Sequence, residues 1–152
     1  MQIQFIKKDT NAVLPTKAHS TDIGWDLVAI KKHKIIHEDI IMYDTGIVGI
    51  PPKGYYLEIL PRSSISKTGW ILANSVGTID PDYRGNLYIV LTRVVKSMPE
   101  IELPFCKCQL VLRKIEQATS VETLVENIDV TERGDGGFGS TGNRISQFGV
   151  NT

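Results

Sequence analysis

Residues 23–29 read Ile23-Gly24-Trp25-Asp26-Leu27-Val28-Ala29, with Ile, Trp, Leu and Ala at every second position. In an extended chain successive side chains face opposite ways, so this spacing builds one apolar face and marks a half-buried strand. The alternation returns at Tyr55–Leu60, at Leu87–Leu91 and from Cys108 to Arg113. Turn chemistry separates these runs, at Pro51-Pro52-Lys53-Gly54, Asp80-Pro81-Asp82, Arg84-Gly85-Asn86 and Met98-Pro99. Many short strands between tight turns predict an all-β barrel or sandwich. One stretch departs from the pattern. Ser63-Ser64-Ile65-Ser66-Lys67-Thr68-Gly69 offers a serine to cap a helix and a glycine to stop it, so one short helix is expected there. Residues 118–125 fit a weak second helix or a further strand.

The chain has 152 residues, which suits a single compact domain, and its 41% hydrophobic and 22% charged residues are ordinary globular usage. Seventeen basic residues balance seventeen acidic ones. Binding to duplex DNA or an anionic membrane surface usually needs a basic surplus, so neither a nucleic-acid nor a membrane partner is expected. No run approaches the roughly 20 apolar residues of a membrane span, and the start of the chain has no signal-peptide pattern. The expectation is a soluble intracellular protein, in cytoplasm or nucleus. Cys106 and Cys108 stand two apart, so on a regular strand they point the same way and cannot be joined without strain. The pair lacks the second pair a zinc site needs. His33 and His37 are four apart, but Lys31-Lys32-His33-Lys34-Ile35-Ile36-His37 reads as an exposed strand, not a metal-binding helix.

Three segments carry residues suited to chemistry. Pro61-Arg62-Ser63-Ser64 places a guanidinium and hydroxyls at the start of the expected helix, a setting that attracts anions. No Gly-x-x-x-x-Gly-Lys occurs, so this is not a P-loop. Asn74 to Gly85 puts Asp80 and Tyr83 three residues apart on a turn, behind Gly77, where backbone can approach a ligand. From Arg133 to Gly142, five of the thirteen glycines fall in ten positions, around a lone phenylalanine, Phe138. Glycine at this density is costly to order, so this arm is expected to be mobile in the free chain. Its bare amides, hydroxyls and guanidinium suit phosphate oxygens, and its one aromatic suits a base.

In order along the chain, these segments resemble the motifs of the trimeric dUTPases, the deoxyuridine triphosphate nucleotidohydrolases. Gly24–Ala29 is similar to the first motif, Pro61–Gly69 to the second, Gly77–Asn86 to the third and Arg133–Gly142 to the fifth. The resemblance runs over about residues 20 to 142. The fourth motif departs: the family's Gly-Asp-Arg-Ile-Ala-Gln-Leu is replaced by Pro104-Phe105-Cys106-Lys107-Cys108-Gln109-Leu110, with only Gln-Leu kept. Proline and phenylalanine cannot supply the glycine's flexible turn, so the preceding loop is expected to take another path.

The resemblance implies a distorted, jelly-roll-like β-barrel over residues 1–130, with a flexible arm, residues 131–152, closing the active site. It implies hydrolysis of dUTP to dUMP and pyrophosphate, with Asp80 as the base that activates water. Tyr83 would lie against the deoxyribose, and backbone of a β-hairpin from Asn74 to Gly77 would read the uracil edge. Arg62, Ser63, Ser64 and Gln109 would hold phosphates, joined from the arm by Arg133, Gly139, Ser140 and Thr141, while Phe138 would stack on the base. Mg²⁺ is implied as the cofactor that chelates the triphosphate, with Asp26 supporting it through water and not as a direct ligand. A homotrimer with shared sites is implied as well. Two other readings stand beside this one. A dCTP deaminase of the same superfamily would need a glutamate near the pocket, and Asn74–Ile79 holds no acidic residue. A catalytically weakened binding or signalling module would be free to lose Asp80, Tyr83 or Phe138, yet all are present.

Overall fold

The computed structural model describes residues 1–138. By their internal contacts these belong to two units, Met1–Glu116 and Gln117–Thr152. The first holds every strand among the described residues. Strands β1 (Gln4–Lys7), β2 (Trp25–Ala29), β3 (Lys31–His37), β4 (Ile40–Asp44) and β5 (Ile47–Ile50) come first. Then follow β6 (Tyr55–Pro61), β7 (Trp70–Leu72), β8 (Gly77–Ile79), β9 (Tyr88–Arg93) and β10 (Phe105–Lys114). They form a two-stranded sheet, β1-β5, and two four-stranded sheets in the orders β2-β10-β6-β8 and β3-β4-β9-β7. Every pairing is antiparallel.

The alternation read from sequence sets the core. Leu27 and Ala29 of β2, Leu57 and Ile59 of β6, and Cys108 and Leu110 of β10 turn inward from one large sheet. Ile41 and Tyr43 of β4, Trp70 and Leu72 of β7, and Ile89 and Leu91 of β9 come from the other. Burying such side chains contributes roughly 1.5–3 kcal/mol each and offsets chain entropy. The fold is therefore all-β and jelly-roll-like as expected, but its sheets stay open where a barrel would close them.

Three local expectations change. The short helix is a single 3-10 turn, Ser63–Lys67, tied down by Ile65 alone among its residues. Arg62, not a serine, occupies its N-cap, with no side-chain cap, while Gly69 ends the turn at φ +74°. Ser66 and Thr68 hydroxyls donate to the carbonyls of Ser63 and Ile65, a tight local pattern that favours 3-10 over α geometry. Secondly, Asn74–Gly77 is not the loop of a hairpin. It joins β7 to β8, which lie in different sheets, by a turn with Ser75 at φ +59°. Thirdly, the pairing of β10 with β2 shifts register between Phe105 and Cys108. This bulge places Phe105 and Cys108 both inward at odd spacing, so Cys106 no longer shares the face of Cys108. Phe105 meets Tyr43 edge-on, ring centres 5.0 Å apart, so the altered fourth motif serves the core.

Gln117 onward holds one 3-10 turn, Val125–Asn127, and no strand among its described residues. No helix among the described residues is long and apolar enough to cross a membrane.

Candidate active site

Two hollows on the first unit collect most of the candidate residues. One, of about 250 Å³, is lined by Asp22, Gly24, Asp26, Arg62, Ser63 and Gln109, together with Ala18 and Ile23. Sheet pairing explains the grouping: Gln109 on β10 lies opposite Asp26 on β2 and Leu60 on β6, and Arg62 follows directly on β6. The Arg62 amide donates to the Lys107 carbonyl at 2.8 Å, which fixes its backbone to β10. Its guanidinium Nε sits 3.2 Å from Asp26 Oδ1. Its NH1 donates to Cys106 Sγ at 3.0 Å and to the Cys106 carbonyl at 3.5 Å. The bond to Cys106 pushes the Arg62 pKa up, burial opposes it, and the charge of Asp26 adds to the rise, so the cation is secure. Gln109 Nε2 donates to the Pro61 carbonyl at 3.2 Å. Gly24 makes room for that side chain: a Cβ there would overlap Gln109 Oε1 and approach its Cδ to 2.8 Å. Ser64 is half-buried in the 3-10 turn and does not line this hollow. The turn is only five residues long and offers no helix dipole, which leaves the Arg62 guanidinium and the Ser63 hydroxyl as its groups suited to an anion.

A second hollow, of about 170 Å³, is lined by Thr78, Ile79, Asp80, Tyr83, Asn86 and Tyr88. The Tyr83 amide donates to the Asp80 carbonyl at 3.1 Å, making the expected turn. The Tyr83 hydroxyl donates to the Asn86 carbonyl at 3.0 Å. Its ring lies across Gly85, where a Cβ would collide with the phenol. The Asn86 amide in turn donates to both carboxylate oxygens of buried Asp44, at 3.0 and 3.1 Å, tethering the whole segment to β4. Asp80 also borders a broader recess with Tyr56, Pro81, Lys114, Ile115 and Glu116. Asn74 lies over Gly77, its Nδ2 3.3 Å from where a Cβ would stand.

The candidates are thus brought together in two sets and not in one. In the second unit, Arg133 Nε donates to the Gly136 carbonyl at 2.9 Å, closing a local turn, and the Phe138 side chain is fully exposed. Gly139, Ser140 and Thr141 lie outside the described residues. Sequence reasoning missed the Asp44–Asn86 tether and the Cys106–Arg62 contact. Both join residues more than forty positions apart, and no local pattern announces either.

A sequence model of the dUTPase family matches residues 10–142. The chain belongs to the dUTPase family. A relative from Finegoldia magna, named deoxyuridine 5'-triphosphate nucleotidohydrolase, is 38% identical over 145 residues, spanning 93% of this chain and 99% of that one. Among solved dUTPases, that of Staphylococcus bacteriophage 80alpha with dUPNHPP superposes at a TM-score of 0.74, with 24% identity over 93% of this chain and 99% of its own. A point-mutant dUTPase from phage phi11 of S. aureus, whose structure shows the coordination of a structural Mg(II) ion, gives a TM-score of 0.68 at 19% identity, over 84% and 99% of the two chains. These likenesses carry the jelly-roll-like dUTPase fold.

Proposed function

We propose that Asp80 aligns and deprotonates a water for in-line attack on the α-phosphorus of dUTP. The new P–O bond forms as the bond to pyrophosphate breaks, and Asp80 takes the water's proton, leaving dUMP. The overall reaction is that of the family to which the chain belongs. The observation that carries the assignment of residues is the pairing of Asp80 and Tyr83 in one hollow, with Arg62, Ser63, Gln109 and Asp26 in the other. The first pair suits the water and the sugar, where the Tyr83 ring would crowd a ribose 2′-hydroxyl. The second set suits phosphate oxygens through charge-assisted bonds. The backbone at Asn74–Gly77 would read the uracil edge, and Arg133, Phe138, Gly139, Ser140 and Thr141 of the arm would close over the nucleotide. Pyrophosphate release from dUTP, dCTP, dTTP and UTP with Mg²⁺ tests the reading: strong preference for dUTP supports it, and equal turnover of UTP ends it.

The same geometry supports a homotrimer with shared sites. Ile79 pairs with Leu57, so Asp80 stands level with the start of β6, whereas Arg62 follows its far end. At ~3.3 Å per residue the two are separated by about 20 Å of strand. Attack needs water and phosphorus within about 3.5 Å, so Asp80 of one copy is completed by the Arg62 set of another. Sedimentation at assay concentration is expected to give a trimer; an active monomer contradicts this.

Magnesium fits as a companion of the triphosphate. Among the described residues no three His, Cys, Asp or Glu side chains form a metal cage. Asp22 and Asp26 border the phosphate hollow, and Asp26 is engaged by Arg62, which suits support through water. When bound, the ion neutralises phosphate charge and steadies the leaving pyrophosphate. Gly24→Ala offers a direct check on the phosphate set. It forces Gln109 from its place, and KM for dUTP is expected to rise about tenfold with a smaller change in kcat. An unchanged KM removes Gln109 from the phosphate contacts.

A further inference from the structure

We infer that Cys106 is a positioning residue for Arg62, holding the guanidinium in the orientation that meets phosphate. This rests on the reading of Arg62 as a phosphate ligand. The residue owes its place to the bulge in β10, which takes two consecutive side chains, those of Cys106 and Lys107, off the core face. Cys108, by contrast, is fully buried, and burial pushes its thiol up to about 12, so only one of the two cysteines faces the site's side of the sheet.

Three groups fix Arg62. The Lys107 carbonyl holds its backbone amide, Asp26 meets Nε, and Cys106 offers both Sγ and its carbonyl to NH1. A guanidinium carries five N–H donors in a rigid fork, so fixing Nε and NH1 leaves the remaining donors aimed in one direction. Asp26 alone would leave the fork free to swing about that one contact. The carboxylate also competes with phosphate for the same cation, whereas the uncharged carbonyl and soft sulfur orient it without opposing an incoming anion. The residues that stand in place of the family's fourth motif thus order the neighbouring arginine.

The test compares the full-length protein with Cys106→Val, Cys106→Ser, Arg62→Ala and the double variant Arg62→Ala/Cys106→Val. Inhibition by pyrophosphate and by deoxyuridine is measured alongside KM and kcat for dUTP. Removing the sulfur is expected to weaken pyrophosphate inhibition and raise KM about fivefold, with deoxyuridine inhibition unchanged. Serine, which keeps a polar acceptor, is expected to recover part of the loss. In the Arg62→Ala background, Cys106→Val is expected to add nothing. An equal effect on deoxyuridine, or a full additional effect without Arg62, makes Cys106 merely structural and overturns the inference. If Arg62→Ala weakens pyrophosphate but Cys106→Val does not, the inference fails alone. If Arg62→Ala leaves pyrophosphate unaffected, the phosphate reading fails first. Should valine unfold the protein, the serine variant decides by the same comparison of the two inhibitors.

Discussion

Asp80→Asn is expected to lower kcat for dUTP about a thousandfold while leaving KM nearly unchanged, because a general base acts in the transition state and contributes roughly 10²–10⁴. The substitution is clean. Asp80 is exposed, and its side chain makes no hydrogen bond or ion pair among the described residues. The turn that carries it is held by backbone and by its neighbours: the Tyr83 amide to the Asp80 carbonyl, and Arg84 to the carbonyls of Pro81 and Tyr83 at 2.7 and 2.8 Å. Asparagine keeps the size and can still orient a water, but it cannot take a proton from it. Thermal melting is therefore expected to match the parent. Turnover within tenfold of the parent, measured as pyrophosphate release, would move the base elsewhere; Glu116, which shares the broad recess with Asp80, would be the next carboxylate to examine.

Removing residues 133–152 is expected to leave the folded unit intact and cut turnover about a hundredfold or more, the usual scale for losing charge-stabilising contacts and the exclusion of water. Among the described residues every buried core side chain lies between Ala12 and Val111, none of them in the segment removed. The chemistry needs that segment if Arg133, Phe138, Ser140 and Thr141 close over the nucleotide. Circular dichroism and melting separate the two effects. Full activity after truncation refutes the closing role. Co-refolding the truncated chain with Asp80→Asn adds a stricter check: if base and arm reach one site from different copies, mixed trimers regain activity that neither parent shows.

Much of this architecture is legible in the sequence, and the rest has identifiable reasons to be hidden. Period-two alternation gives Leu57 and Ile59, or Ile89 and Leu91, an inward face whatever their partners are, so strands and core could be read locally. Partners could not. That β7 pairs with β9 and β8 with β6 is a choice among distant segments, and it turns an expected hairpin into a passage between sheets. The bulge in β10 likewise depends on Phe105 finding Tyr43, far away along the chain, and it defeated the simple rule that residues two apart face alike. Asp80, Tyr83, Arg62 and Gln109 could be named as candidates through the resemblance to the family's motifs. Their division between opposite ends of β6 could not, because motif order along a chain carries no distance.

That division bears on inheritance and on mixed populations of the protein. In a trimer with shared sites, a copy spoiled only at Asp80 would silence a single site, while its far end would still serve a neighbour. A copy damaged at both ends of β6 would silence two. Cells making such a product beside the sound one would lose more activity than the fraction of faulty chains, a poisoning of assemblies that separate monomers would never suffer.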